Sequence, residues 1–473
     1  MKFFNLAGLR PRRSGIAVAS GCLLATLTGS LPALSQETVL LEKVPLQSID
    51  LNHALQQTLQ KNAELKAYPY YLRVSEAELL QAKQRPLPIL GLIAENVLGS
   101  GDFSDTDQAE ITLTLGQTIE LGGKRESRIA LATTSRQRQQ TEYELARLDV
   151  LAETSRRYYK LLRLQFLQDW IDKRADSERD ALNVIQRRAK AGAAKQADVT
   201  KMQLKLSRSK ALATQLKGQA SLARANLAVM WSASPSFTRA SGNLLSLPTV
   251  PDSAGITEAL IKSPAFMRQQ VLQRLADAQV QLARANSKVN LDVGVGLRRF
   301  EATNDQALVF NISMPIPISN PNRGRLAAAQ AEQALSIEQS ELVRTQLRLS
   351  LVAIQQTLMN HSQYAQLITE ELLPLAQQLL ADTEAGYSKG RYSVLQWADA
   401  QAELFALERE LIETHTLVYL QLLELERITG QPMRPSKLST STSSTSKLST
   451  SRLSISKSSS NSQPATQQKG EIS

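Results

Sequence analysis

The sequence predicts a mainly α protein with membrane β. Long antiparallel, coiled-coil-like helices form a tunnel, and each chain contributes four strands to a trimeric 12-stranded β-barrel, with an internal two-fold repeat. Three observations carry this. Two stretches, residues 123–189 and 324–385, are long and nearly free of Pro and Gly after their first residue. Four short runs switch to a period of two. The same order of elements recurs on either side of a Ser/Pro/Gly-rich break at 232–255.

Composition fits long elements. The chain has 473 residues with only 21 Gly and 17 Pro. Its formal net charge is +11, but the excess sits at the ends. Lys2, Arg10, Arg12 and Arg13 stand without an acid in residues 1–35, and Lys437, Lys447, Arg452, Lys457 and Lys469 face only Glu471 in the last 38. The body is nearly balanced, so nothing calls for nucleic acid. One Cys excludes an intramolecular disulfide. Three His on separate segments (His53, His361 and His415) give no metal-ligand cluster, and no cofactor motif appears.

Residues 1–35 read as a secretory signal peptide: a basic start, an apolar or small stretch from Ile16 to Leu34, and Ala33-Leu34-Ser35 before Gln36 as a cleavage site. Two alternatives stand beside it. A membrane anchor is opposed by Gly21, Thr26, Thr28, Gly29, Ser30 and Pro32. Cys22 as a lipid acceptor is opposed by the short apolar run before it. No later run is long and apolar enough for a spanning helix, so insertion must use strands.

The first repeat, 36–231, opens with a helix from about Asp50 to Lys83, and its counterpart runs from about Thr257 to Asn286. Asn62-Ala63-Glu64-Leu65 and Ser263-Pro264-Ala265-Phe266 occupy matching places. Strands follow at about 87–98 and 110–120, and at 290–300 and 307–318 in the second repeat, 256–431. Leu291, Val293, Val295 and Leu297 alternate with Asp292, Gly294, Gly296 and Arg298. Such runs have the length of tilted bilayer strands. Soluble hairpins packed on helices fit the same periodicity.

The long helices come next, at 123–189 and 324–385; Pro374 predicts a kink or irregularity in the second. Each ends at a turn containing Gly192 or Gly390 and returns as a helix, at about 197–230 and 394–429. Residues 432–473 form a Ser/Thr-rich tail that cannot bury a core and is read as disordered. Four strands cannot close, and an open edge in lipid leaves backbone groups unpaired. Two chains give eight strands and almost no lumen; three give twelve and a pore.

Three local matches carry a family resemblance over about residues 46–431. Gln117-Thr118-Ile119-Glu120-Leu121-Gly122-Gly123-Lys124-Arg125 leads from strand to helix. Pro315-Ile316-Pro317-Ile318, then Asn320, Asn322, Arg323 and Gly324, is its counterpart, and the paired turns are the third. The sequence resembles the TolC-type outer-membrane efflux family, and the first stretch resembles its CzcC/CusC-like heavy-metal branch. The resemblance implies a homotrimer in the outer membrane with a periplasmic tunnel. It implies a passive exit duct, without catalysis, that docks to a periplasmic adaptor (membrane fusion) protein and an inner-membrane RND-type pump. Heavy-metal cations are the substrate class of that branch.

The resemblance also supplies site candidates. Asp399 and Gln396 fall where such channels often carry two gate acids; Gln396 departs from the pattern. Asp198 stands six residues after Gly192, as Gln396 does after Gly390. Ordinary solvated acids in a helix's first turn are the alternative. Lys190, Gly192, Lys195, Lys389, Gly390, Arg391 and Tyr392 are candidate adaptor contacts, against a merely solvated tip. Arg298 and Arg299 face lumen, headgroups or surface, and Trp170, Trp231 and Trp397 are packing residues. Exit ducts for drugs or for type I protein secretion fit the same fold. A periplasmic coiled-coil adaptor is opposed by the duplication.

Overall fold

The computed structural model describes residues 46–248, 261–320 and 322–430. The signal segment, the end of the break, the start of the second repeat and the tail lie outside the described residues.

Strand β1 (Leu46–Ile49) leads to helix α1 (Leu51–Lys61), where the carboxylate of Asp50 accepts from the His53 amide at 2.7 Å. The expected single helix from Asp50 to Lys83 is broken at Asn62. Its side-chain oxygen caps α2 (Ala63–Ala82) by accepting from the Leu65 amide at 3.1 Å, and its Nδ2 donates to the Met230 carbonyl at 2.8 Å. A capping side chain competes with helix continuation, so the backbone turns there. Ser263 does the same for α5 (Pro264–Asn286): Oγ accepts from the Phe266 amide, and Pro264 fills the first turn.

Strands β2 (Ile89–Glu95), β3 (Glu110–Glu120), β5 (Asn290–Phe300) and β6 (Gln306–Ser313) form one antiparallel sheet in the order β2-β3-β5-β6. β2 is shorter than the expected 87–98, and β6 ends well before residue 318. Pro315 and Pro317 have no amide hydrogen for a ladder.

The Gln117–Arg125 stretch is the seam between sheet and helices. Gly122 and Gly123 have φ of +77° and +71°, a left-handed pair that swings the chain from β3 into α3 (Lys124–Lys190). Around them, Glu120 pairs with Arg128, Arg125 donates to the Lys83 carbonyl at 2.8 Å, Lys124 reaches Asn290, and Gln117 donates to the Pro86 carbonyl. The motif ties α2, β2, β3, β5 and α3 together at one level.

At 67 residues, α3 extends for roughly 100 Å. It returns as α4 (Gln196–Ala228). The second long helix is interrupted. Helix α6 (Arg323–Leu367) passes through a π-helical turn at Ile368–Leu372 into α7 (Leu373–Ser388), and α8 (Val394–Thr429) returns. The wide turn lies just before Pro374, whose ring excludes a normal bond to the residue four back.

The core lies where the helices cross. Leu161, Leu164, Ile171, Leu227 and Val418 are fully buried, with Trp170, Trp231, Phe405 and Tyr419 around them. Trp170 donates its indole N–H to the Phe405 carbonyl at 2.9 Å. Residues 232–248 are not a bare linker. They contain β4 (Phe237–Ala240), which pairs in parallel with β1, and a strap that crosses the long helices. Tyr419 Oη donates to the Ser246 carbonyl at 2.6 Å, and Tyr158 donates to the Ser241 carbonyl. His415 Nδ1 lies 3.0 Å from the Leu244 carbonyl. Buried Phe237, Ala240 and Leu244 anchor this segment despite its turn-rich composition.

Candidate functional site

The sheet has two chemically different faces. The β3–β5 register places Leu113 opposite Leu297 and Leu115 opposite Val295, and the β5–β6 register adds Leu308 and Phe310. With Leu90 and Leu92 from β2, these side chains make one apolar face across four strands. The other face is mainly small or polar, with Gly91, Thr112, Thr114, Gly116, Gly294, Gly296 and Asn311, and holds Ile89, Ile93 and Val309 among them.

Burial runs opposite to that of a soluble hairpin. Leu115 is 53% exposed and Phe310 75%, whereas Thr112 is 1% exposed. Such a continuous exposed apolar face is incompatible with water and suits hydrocarbon. The 11 residues of β3 and of β5, tilted at about 40°, cover the ~25 Å apolar band of a bilayer. Among the described residues, no helix is long and apolar enough to cross a membrane. Among the described residues, the outer strands β2 and β6 each have a neighbour on one side alone. Arg298 and Arg299 part: Arg298 lies on the polar face, and Arg299 on the opposite face pairs with Glu301 at 3.1 Å.

The far end of the molecule is built from two turns of the same design. Gly192 and Gly390 have φ of +74° and +77°. In the first turn the amides of Ala191, Gly192 and Ala193 donate to the carbonyls of Arg187, Ala189 and Arg188. In the second, Lys389, Gly390 and Arg391 donate to Ala385, Tyr387 and Gly386. The pattern is the αL helix ending that glycine permits.

The candidate tip residues lie at these turns. Lys190, Lys195, Lys389 and Arg391 are exposed and have no ion-pair partner among the described residues. Tyr392 is 44% exposed, with its ring against Gly386. Asp399 pairs with Lys205 at 3.4 Å, and Lys205 also donates to the Ala398 carbonyl. Asp198 is half-buried in the first turn of α4. Gln396 closes a capping box with Ser393: its Oε1 accepts from the Ser393 amide at 2.8 Å, and Ser393 Oγ accepts the Gln396 amide in return.

Sequence reasoning missed what joins the two tips. Buried Tyr387 and Trp397 stack with centroids 5.4 Å apart, and Arg188 of the other hairpin lies against Tyr387. Ser177 on α3 and Gln401 on α8 are hydrogen-bonded as well. An apolar cluster of Leu182, Ile185, Val199, Met202 and Val394 fills the space beneath. Arg188 carries no local signal, because its partner is about 200 residues away.

A family model for outer membrane efflux proteins matches residues 54–233 and 255–431. The chain belongs to the outer membrane efflux protein family. It is therefore an outer-membrane transport conduit and not an enzyme. This efflux protein is 27% identical over 389 residues to the cobalt-zinc-cadmium resistance protein CzcC of Cupriavidus metallidurans, covering 81% of this chain and 90% of that one. It is 28% identical over 292 residues to the nickel and cobalt resistance protein CnrC of the same species, covering 59% and 67%. Its fold matches that of CusC with a TM-score of 0.69 at 15% identity, covering 82% of this chain and 94% of that one. The outer membrane protein VceC of Vibrio cholerae gives 0.67 at 17% identity, covering 81% and 97%.

Proposed function

We propose that three copies of this efflux protein close one 12-stranded barrel, continued by a helical tunnel into the periplasm. The assembly is the passive exit duct of a tripartite system that exports heavy-metal cations. The observation that carries this reading is the four-stranded sheet, with an exposed apolar face and, among the described residues, an unpaired edge on each side. Lipid accepts the face; only another copy satisfies the edges. The metal-resistance relatives CzcC and CnrC support the substrate class.

The chain enters the periplasm through a signal peptide at 1–35 and holds two efflux repeats, 36–231 and 256–431. Support for the duplication comes from the matching hydrogen bonds of the two turns and the matching caps at Asn62 and Ser263. The exposed cations of the tips, with Gly192, Gly390 and Tyr392, contact a periplasmic adaptor, which couples the duct to an inner-membrane RND-type pump. Energy comes from that pump. Asp399 and Asp198 line the closed periplasmic end, where carboxylates draw cations. Gln396 is uncharged and engaged in its cap, so the gate charge rests on the two aspartates, of which Asp399 is paired with Lys205.

Outer-membrane fractionation with planar-bilayer conductance tests the duct. Deletion followed by a metal and drug panel tests the cargo. Loss of cobalt, zinc or cadmium tolerance is expected; lost drug tolerance with metal tolerance intact overturns the metal assignment.

A further inference from the structure

The polar face of the sheet is not evenly charged. Its middle, at Gly91, Thr114, Gly116, Gly294, Gly296 and Asn311, carries no ionisable group. The charges sit at its two ends. At the helix end are Asp292, which accepts the Thr118 hydroxyl at 2.5 Å, and Glu120, which is paired with Arg128. At the loop end are Glu95, Glu110 and Arg298.

Arg298 is the single cation that the four strands place on this face. Its guanidinium reaches three groups on two other strands. It lies 3.1 Å from Glu95 on β2 and 2.8 Å from Glu110 on β3, and its Nε donates to Thr112 Oγ1 at 2.9 Å. Asn96 adds a hydrogen bond to Glu110 at 3.2 Å. Two carboxylates and one guanidinium therefore stand together, a net charge of −1 per chain. The adjoining loop adds Asp102, Asp105 and Asp107 and no cation.

We infer that Arg298 sets the ion selectivity of the outer mouth by neutralising part of its carboxylate charge. The inference rests on the reading of the polar face as a lumen. A fixed charge at the neck of a low-dielectric pore weighs the local concentrations of cations and anions. With the middle of the barrel uncharged, this cluster is where the strands discriminate by charge. Planar, five-donor Arg suits a bridge between two carboxylates and a hydroxyl. It leaves a mouth negative enough to favour outgoing cations, with half of its strand carboxylate charge already compensated.

The test uses purified full-length protein in planar bilayers under a KCl gradient, with reversal potential as the readout. Wild type is expected to prefer K+ over Cl−. Arg298→Gln should raise that preference roughly two- to fivefold. Arg298→Lys, which keeps the charge, should stay close to wild type. Glu110→Gln should lower the preference. If Arg298→Gln fails to insert, the Lys and Glu110→Gln channels still decide. A Glu110→Gln reversal potential equal to wild type, or an Arg298→Lys shift as large as that of Arg298→Gln, overturns the inference. So does a conducting Arg298→Gln channel with wild-type selectivity. Wild-type protein that forms no channel overturns the lumen reading itself.

Discussion

The guanidinium carbon of Arg188 lies 4.1 Å from the centre of the Tyr387 ring, and its Nη1 donates to the Tyr387 carbonyl at 3.3 Å. Arg188 belongs to the α3–α4 hairpin and Tyr387 to the α7–α8 hairpin. One side chain thus joins the two tips, with Trp397 stacked behind the tyrosine.

Replacing Arg188 by Ala removes a cation–π contact of about 1–2 kcal/mol and a hydrogen bond of about 1 kcal/mol. The hypothesis is that this contact holds the tips closed. A higher open probability is then expected in single-channel recordings. Unchanged gating would mean that the apolar cluster around Ile185 and Met202 holds the tips without it.

The two faces of the sheet should respond differently to charge. Val295→Arg, on the apolar face, should cost about 2–4 kcal/mol in lipid and deplete the protein from the outer-membrane fraction. Asn311→Lys, on the polar face, should insert normally. Equal insertion of both variants contradicts the lipid assignment.

Backbone freedom at the tips has its own test. Gly390→Val forces a branched side chain to φ of +77° and should destabilise the chain by roughly 1–2 kcal/mol. Gly218 lies within α4 with open space around its Cβ position, so Gly218→Ala should stabilise by about 0.5–1 kcal/mol. Thermal unfolding in detergent distinguishes them by the sign of the change in Tm.

Glu424 and His415 contribute to an acid limit on stability, alongside the arginine-bonded carboxylate of Glu153. The hydrogen bond from Arg427 holds Glu424 below the usual carboxylate range, and Arg427 also pairs with Asp149 at 3.0 Å. The folded chain therefore binds that proton less readily than the unfolded chain. The contribution is complete above about pH 4.3 and is lost as pH falls through the lowered value. Burial likewise lowers the pKa of His415. The Leu244 carbonyl can only accept, so Nδ1 carries the proton and buried Nε2 stays bare. Its contribution is complete above about pH 6.5 and is lost below. Denaturant midpoints measured from pH 7.5 down to about pH 2 should fall in two stages. His415→Asn should flatten the upper stage and Glu424→Gln should make the lower one shallower, with Glu153 still contributing to it; an unchanged profile in either variant contradicts its assignment.

These particulars also separate what the sequence discloses from what it hides. The long α3 is legible because nothing between Lys124 and Lys190 interrupts a helix. The sheet's two chemistries are legible because Leu291 to Leu297 alternate with Asp, Gly and Arg. The break at Asn62 is less so, since a cap inside a helical pattern shows itself only through its bonds to Leu65 and Met230. Strand β4 was hidden for another reason: four residues in a Ser/Pro/Gly-rich stretch become a strand by pairing with β1, about 190 residues away. Arg188 shows the same limit at the tips. Charge and hydrophobic period are local properties, whereas a cation–π contact between two hairpins is not.

Whether the four strands of one chain form a third of a lipid-embedded pore is decided by the behaviour of the purified protein. Planar-bilayer recording of protein purified from the outer-membrane fraction, with its mass in detergent measured on the same sample, tests it most directly. A detergent-requiring trimer that produces stepwise, cation-preferring conductance is expected. A monomer extracted without detergent that passes no current would contradict it.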